Sequence, residues 1–97
     1  MALRFEWDPR KSIINARRHG VSFEEAESVF TDERAILRDD PDHSADEERF
    51  VLLGLSSVLR VLVVCHCYRG GGNVIRLISA RRANRRERED YDRRWRK

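Results

Sequence analysis

Apolar residues fall at every second position in Leu3, Phe5 and Trp7, with Arg4 and Glu6 between them, the alternation of a strand covered on one face. Asp8-Pro9 then opens a helix. Asp can accept the unpaired N–H groups of a first turn, and Pro at the first helical position has no N–H to leave unsatisfied. Ile13 and Ile14 are expected to supply this helix with its apolar side, and Gly20 to stop it. Ser22-Phe23-Glu24-Glu25 has the form of a capping box, and Phe23, Ala26 and Phe30 share one face of the second helix it would open. Residues 35–38 read as a short strand, and the acidic stretch 39–48, interrupted by Pro41, as a loop. Three longer strands follow at 49–56, 59–69 and 73–79. Ser57-Val58 and Gly70-Gly71-Gly72 separate them, spacings that suit antiparallel hairpins. Residues 83–95 close the chain as a helix. The order β-α-α-β-β-β-β-α predicts an α+β fold: a small antiparallel β-sheet with two N-terminal helices and one C-terminal helix packed on it, in one domain over residues 1–97.

A chain of 97 residues buries only about two-thirds of its unfolded surface, so a binding partner can add much of its stability. Its longest apolar run, residues 61–65, is far too short to span a bilayer, and no secretory signal follows Met1. A cytoplasmic location with no membrane partner is expected. The net charge of +3 hides an asymmetry: residues 1–75 carry 10 cations against 13 acids, and residues 76–97 carry 10 against 4. One end is a basic patch suited to phosphate or to an acidic partner. Lys11 and Lys97 are the only lysines, so the patch is built from planar, bidentate guanidinium groups.

Cys65-His66-Cys67 invites a zinc reading, but strand alternation sends His66 away from the two sulfurs and no second ligand pair occurs. Buried, reduced thiols are the expectation, with no metal and no cofactor.

In the last helix many acidic and basic residues are spaced i,i+4, Arg86–Asp90 among them, which is how a solvated helix laced with ion pairs looks. That reading leaves Arg76, inside a strand, unexplained, along with Arg81 and Arg82 at the exit from the sheet and Arg69 at the end of the neighbouring strand. Each could pair singly with an acid such as Glu6 or Glu48. Together they suit RNA cleavage without a metal. A base takes the ribose 2′-hydroxyl proton, guanidinium groups stabilise the phosphorane, and an acid protonates the leaving 5′-oxygen. Glu87 is a candidate base or an orienter of an arginine, Tyr91 a candidate proton donor or base-stacking ring, and His43 and His66 the other groups of useful pKa. The bland alternatives are a ring packed on the sheet for Tyr91, a satisfied core residue for His66, and stabilisation of its acidic loop for His43. Arg82, Arg85 and Arg86 are candidates for holding the RNA backbone. A non-catalytic module, binding nucleic acid or acting as co-repressor with a DNA-binding protein, and a plain structural subunit remain the competing classes.

FEWDPRK, RRHGVSFEEAESVF, DHSADEERFVLLGLS, VLVVCHCYR and IRLISARRANRRERE occur here in the order seen in BrnT toxins, and the chain resembles that family from about Phe5 to Tyr91. The resemblance implies a RelE-like fold and arrest of translation by RNA cleavage. It also implies neutralisation by a cognate BrnA-like antitoxin, which alone contacts operator DNA, and a toxin dimer within a toxin–antitoxin heterotetramer. Carried over by position, the family's active-site region resembles Arg69, Arg81 and Arg86-Glu87, with Arg76 and Tyr91 also on recurrent positions.

Overall fold

The structure, a computed structural model, describes residues 3–41 and 48–95. The strands are β1 (Arg4–Glu6), β2 (Ile36–Asp39), β3 (Phe50–Leu55), β4 (Val61–Arg69) and β5 (Val74–Arg82). The helices are α1 (Pro9–His19), α2 (Phe23–Ser28) and α3 (Arg85–Trp95), with 3₁₀ turns at Val29–Thr31 and Gly70–Gly72. This is the expected order.

Local chemistry accounts for the element ends. Asp8 caps α1 by accepting from the Arg10 N–H at 2.9 Å, and Gly20 ends the helix in the left-handed region at φ 69°. Ser22 Oγ accepts from the Glu25 N–H at 3.0 Å, but only half of the expected capping box forms. The Glu25 side chain turns instead to Ser56 and to Arg60, whose guanidinium holds its carboxyl below the usual range. The β3–β4 connection is longer than the expected two residues. It runs through residues 56–60, with Leu59 at φ 64° and the Ser56 N–H donating to Arg60 O at 2.8 Å. The β4–β5 turn needs three successive positive φ values, at Gly70, Gly71 and Gly72, which side chains rarely adopt.

The five strands lie in the order β1-β5-β4-β3-β2. Four form antiparallel neighbours as expected, but β1 runs parallel to β5, pairing Arg4 with Val74 and Glu6 with Arg76. The sheet is therefore mixed. A register shift at Cys65/His66 places Cys65 opposite Ser79 and His66 opposite Leu77, leaving Ile78 as an extra residue in β5. That bulge decides which side chains share a face. Arg76 opposes Cys67 and Arg81 opposes Val63, and residues 63, 65 and 67 alternate onto one side of β4. Without the extra residue, Arg76 and Arg81, five apart, would point to opposite sides.

The helices divide between the two faces. Phe23, Ala26 and Val29 bury against Leu62, Val64, Ile75 and Leu77 on one face. On the other, Ala83 and Tyr91 cover Leu53 and Val63, with Val61 and Leu55 beside them. Gly54 lies beneath the first helices' exit: a Cβ there would meet Val29 Cγ1 at 2.8 Å and Ala35 Cβ at 2.9 Å.

One expectation about α1 is corrected. Ile13 and Ile14 are 56% and 58% exposed, and the one buried α1 residue is Asn15. Asn15 donates to Val21 O at 2.9 Å and Ala80 O at 2.8 Å, and accepts from the Ala80 N–H at 3.0 Å. β1 pairs with β5 only as far as Arg76, so the amide of Asn15 takes over the ladder where that strand has ended.

His66 is the satisfied core residue that one reading anticipated. Its Nδ1 donates to Val64 O (3.1 Å) and its Nε2 lies 3.2 Å from the Tyr68 hydroxyl, so both ring nitrogens have partners. Burial lowers its pKa, so as pH falls below about 6.5 the unfolded chain binds a proton that the native state excludes. Stability is therefore expected to fall between pH 7.5 and 5.5, and His66→Gln to flatten that slope, measured by urea unfolding at each pH. An unchanged slope in the variant would refute this assignment.

Candidate nucleic-acid interface

Among the described residues, the face that carries α3 is covered by that helix at one end. Beyond the helix lies a cavity of about 260 Å³ lined by Asp40, Arg49, Val51, Val63, Cys65, Ile78, Ser79 and Arg81. Its floor follows from the register: Val51 opposes Cys65, and Cys65 opposes Ser79. Its rim is charged.

Arg81 is its most structured cation. Nη1 and Nη2 donate to the two Glu87 oxygens at 2.8 Å each, and Nη1 also reaches Arg82 O at 3.2 Å. Glu87 is itself fixed by a capping box at the start of α3. Its N–H donates to Asn84 Oδ1, and its Oε1 accepts from the Asn84 N–H, both at 2.8 Å. The Arg81 guanidinium, the Asn84 N–H and the charge of Arg38 all hold the Glu87 carboxyl below the usual range. Arg81 is thus gripped end-on. Its Nε–H and second Nη2 hydrogen share the other edge, and no acceptor meets Nε among the described residues. A second fork is left for a phosphate.

Arg38 adds another cation at this end, held by Asp90 at 3.2 Å, and Arg93 also pairs with Asp90. The expected Arg86–Asp90 pair is thereby replaced. Cys67 is buried, as expected of both thiols, and Cys65 only partly so. Half-buried, it donates to Asp40 Oδ2 at 3.2 Å, and burial together with that carboxylate pushes it up to about 12. It stays a thiol at neutral pH. Among the described residues no cluster of three or more His, Cys, Asp or Glu side chains is arranged to hold a metal.

The other sequence candidates are dispersed. Arg76 bonds Glu6 Oε2 at 2.8 Å and Arg69 approaches the same atom at 3.8 Å, so these two meet each other through an acid on β1. They share the face of Arg81 but sit roughly 15 Å along β5 from it. One expected cluster is therefore two. Tyr91 is only 2% exposed, and its hydroxyl donates to Asp32 Oδ2 at 2.7 Å. Burial and Asp32 push it up to about 12, which makes it a strut under α3 and removes it from the exposed site. Asp32 is pushed up by burial, but hydrogen bonds from the Leu55 N–H, the Tyr91 hydroxyl and the Arg34 N–H outweigh this and leave it lowered.

Arg82, at the end of β5, contributes to the field at Glu25 beneath the opposite face, away from the cavity. Arg85 pairs with Glu89 at 3.3 Å, and Arg86 is exposed on α3. His43 lies outside the described residues. Arg38, Asp40 and Arg49 were not singled out from the sequence. Their signal was present in the period-2 alternation of β2 and β3, but only the register of β2 on β3 shows which face they occupy.

These features define a small basic domain of the toxin class: the model of the family described as "Ribonuclease toxin, BrnT, of type II toxin-antitoxin system" matches residues 7–87. That span is most of the chain, and the chain belongs to the BrnT toxin family. Among solved structures, the Brucella abortus ribonuclease toxin BrnT superposes with a TM-score of 0.62 at 23% identity, covering 87% of this chain and all of that one. Comparison with curated proteins gives no match. Among the described residues no helix is long and apolar enough to cross a membrane.

Proposed function

We propose that this protein is an endoribonuclease that cleaves RNA by attack of a ribose 2′-hydroxyl on the adjacent phosphate, with no metal taking part. The observation that carries the reading is Arg81, clamped end-on by Glu87 and lining a cavity that Arg49 also lines. A guanidinium held in this way meets the growing charge of a phosphorane without reorganising. Glu87 acts as the clamp. With both oxygens engaged and its pKa lowered, it is a poor proton acceptor. In this reading Asp40, which lines the same cavity, takes the 2′-hydroxyl proton, and His43 is retained as candidate acid for the leaving oxygen on its sequence alone. Arg69 and Arg76 form a second cationic point along the same face, suited to a flanking phosphate, while Arg85 and Arg86 extend the basic surface along α3.

Membership of a type II system implies an antitoxin. A BrnA-like partner with an acidic segment would cover this face, so that one surface serves RNA or antitoxin but not both, and the free toxin arrests translation. Operator DNA would be reached through the antitoxin, and the toxin would enter the complex as a dimer. The pairing of Arg38, Arg76 and Arg81 with acids also suits a module that binds without chemistry.

Incubating the purified protein with RNA in excess EDTA separates the two readings. Cleavage is expected, with 2′,3′-cyclic phosphate and 5′-hydroxyl ends, and none at a 2′-deoxy position. Intact RNA at concentrations where the protein binds it would leave only the binding module.

A further inference from the structure

α3 is anchored by Tyr91, yet one turn later it carries a second aromatic residue that the core does not use. Trp95 is 50% exposed. The Arg34 guanidinium lies over its ring at 3.9 Å from the centroid, and Tyr91 meets it edge-on with centroids 6.3 Å apart. Beside this stack is a cavity of about 340 Å³ lined by Glu33, Arg34, Arg94 and Trp95. An indole held in place by a guanidinium and flanked by a second arginine has the elements of a platform for a nucleobase. Glu33 repels phosphate from the same cavity, so a base suits it better than a backbone.

We propose that Trp95 and Arg34 form a base-stacking subsite for single-stranded RNA, extending the cleavage site along α3. The inference rests on the proposed nuclease reading for its purpose but not for its geometry. Trp95 lies eight residues beyond Glu87, roughly 12 Å along the helix axis, a span that a short single strand bridges. Arg38 and Arg93, both on Asp90, supply cations between the two points. The matched family span ends at residue 87, so Arg94 and Trp95 lie in the part of the chain that the family model does not describe, while Glu33 and Arg34 lie within it. It would favour substrates unpaired on one side of the cut, because a base inside a duplex offers no free ring face.

A 2′-O-methyl hexanucleotide, which cannot be cleaved by internal attack, tests the subsite apart from catalysis. Titrating it into the protein should quench tryptophan emission. Trp95→Leu should abolish the quench, since Trp7, the other tryptophan, packs on Phe23. Affinity should fall about tenfold in Trp95→Leu and recover in Trp95→Phe, in line with one lost base stack. Arg94→Ala, on the exposed side of α3, should weaken binding and reduce its salt dependence while leaving the fold alone. With cleavable RNA, Trp95→Leu should raise KM and leave kcat unchanged. Wild-type affinity in both Trp95→Leu and Arg94→Ala would overturn the subsite, whether or not the protein cleaves. Quenching without cleavage of any RNA would instead remove the nuclease reading and leave the subsite standing.

Discussion

Arg81→Ala should lower kcat for RNA cleavage by roughly 10²–10³-fold, about 3–4 kcal/mol of transition-state stabilisation, with KM little changed. The expectation rests on what the residue does before substrate arrives. Glu87 fixes two of its hydrogens and Arg82 O a third, so the remaining fork has one direction in which to point. Arg81→Lys should recover little, because an ammonium cannot hold the Glu87 carboxylate end-on and a phosphate side-on at once. Glu87→Gln should reduce cleavage less than Arg81→Ala, since the amide oxygen still accepts and the helix cap is partly kept. Far-UV circular dichroism and the melting temperature control for folding. Near-wild-type kcat in a folded Arg81→Ala protein would remove Arg81 from the reaction.

Much of the architecture was legible along the chain, because the devices that set it are local. Asp8-Pro9, Gly20, Ser22 and the three glycines at 70–72 each act within a few residues, and each marks an element end in the structure. What was not legible depends on distant pairing. β1 has three residues, too few for its pattern to declare a partner, and it joins β5 in parallel across the rest of the chain. Ile13 and Ile14, beside the polar Asn15, read as the apolar side of α1. The chain in fact buries the polar residue, since only an amide can replace a missing strand on the edge of β5.

The candidate site divides along the same line. Arg81 and Glu87 are six residues apart and joined by a tight strand-to-helix turn, so their proximity could be read directly. Whether Arg76 shares their face turns on a single extra residue, Ile78, which no composition or spacing announces. Arg38, Asp40 and Arg49 come to the cavity only through the order in which the strands lie. Tyr91 sits at the right spacing from Glu87 but on the side of α3 that the core claims, where Asp32 fixes its hydroxyl.

Asn15→Ala should cost about 3 kcal/mol and lower the melting temperature by roughly 15 °C, a large share of the stability of a domain this size. The substitution removes three hydrogen bonds and leaves the Ala80 N–H and the carbonyls of Ala80 and Val21 buried without partners. Burial decides the size of the effect: the side chain is 6% exposed, so water replaces it poorly. Asn15→Asp discriminates further. It has nearly the same shape and can still accept from the Ala80 N–H, but it aims a carboxylate oxygen at two carbonyls that had been receiving a donor. It should be less stable than the alanine variant despite being closer in form, and should regain ground as pH falls and the carboxyl protonates. Because Ala80 immediately precedes Arg81, either change also loosens the strand that aims the guanidinium. Cleavage by the protein that remains folded should therefore drop with the melting temperature. An Asn15→Ala protein melting within about 3 °C of wild type would show that the edge of β5 is held by something other than this amide.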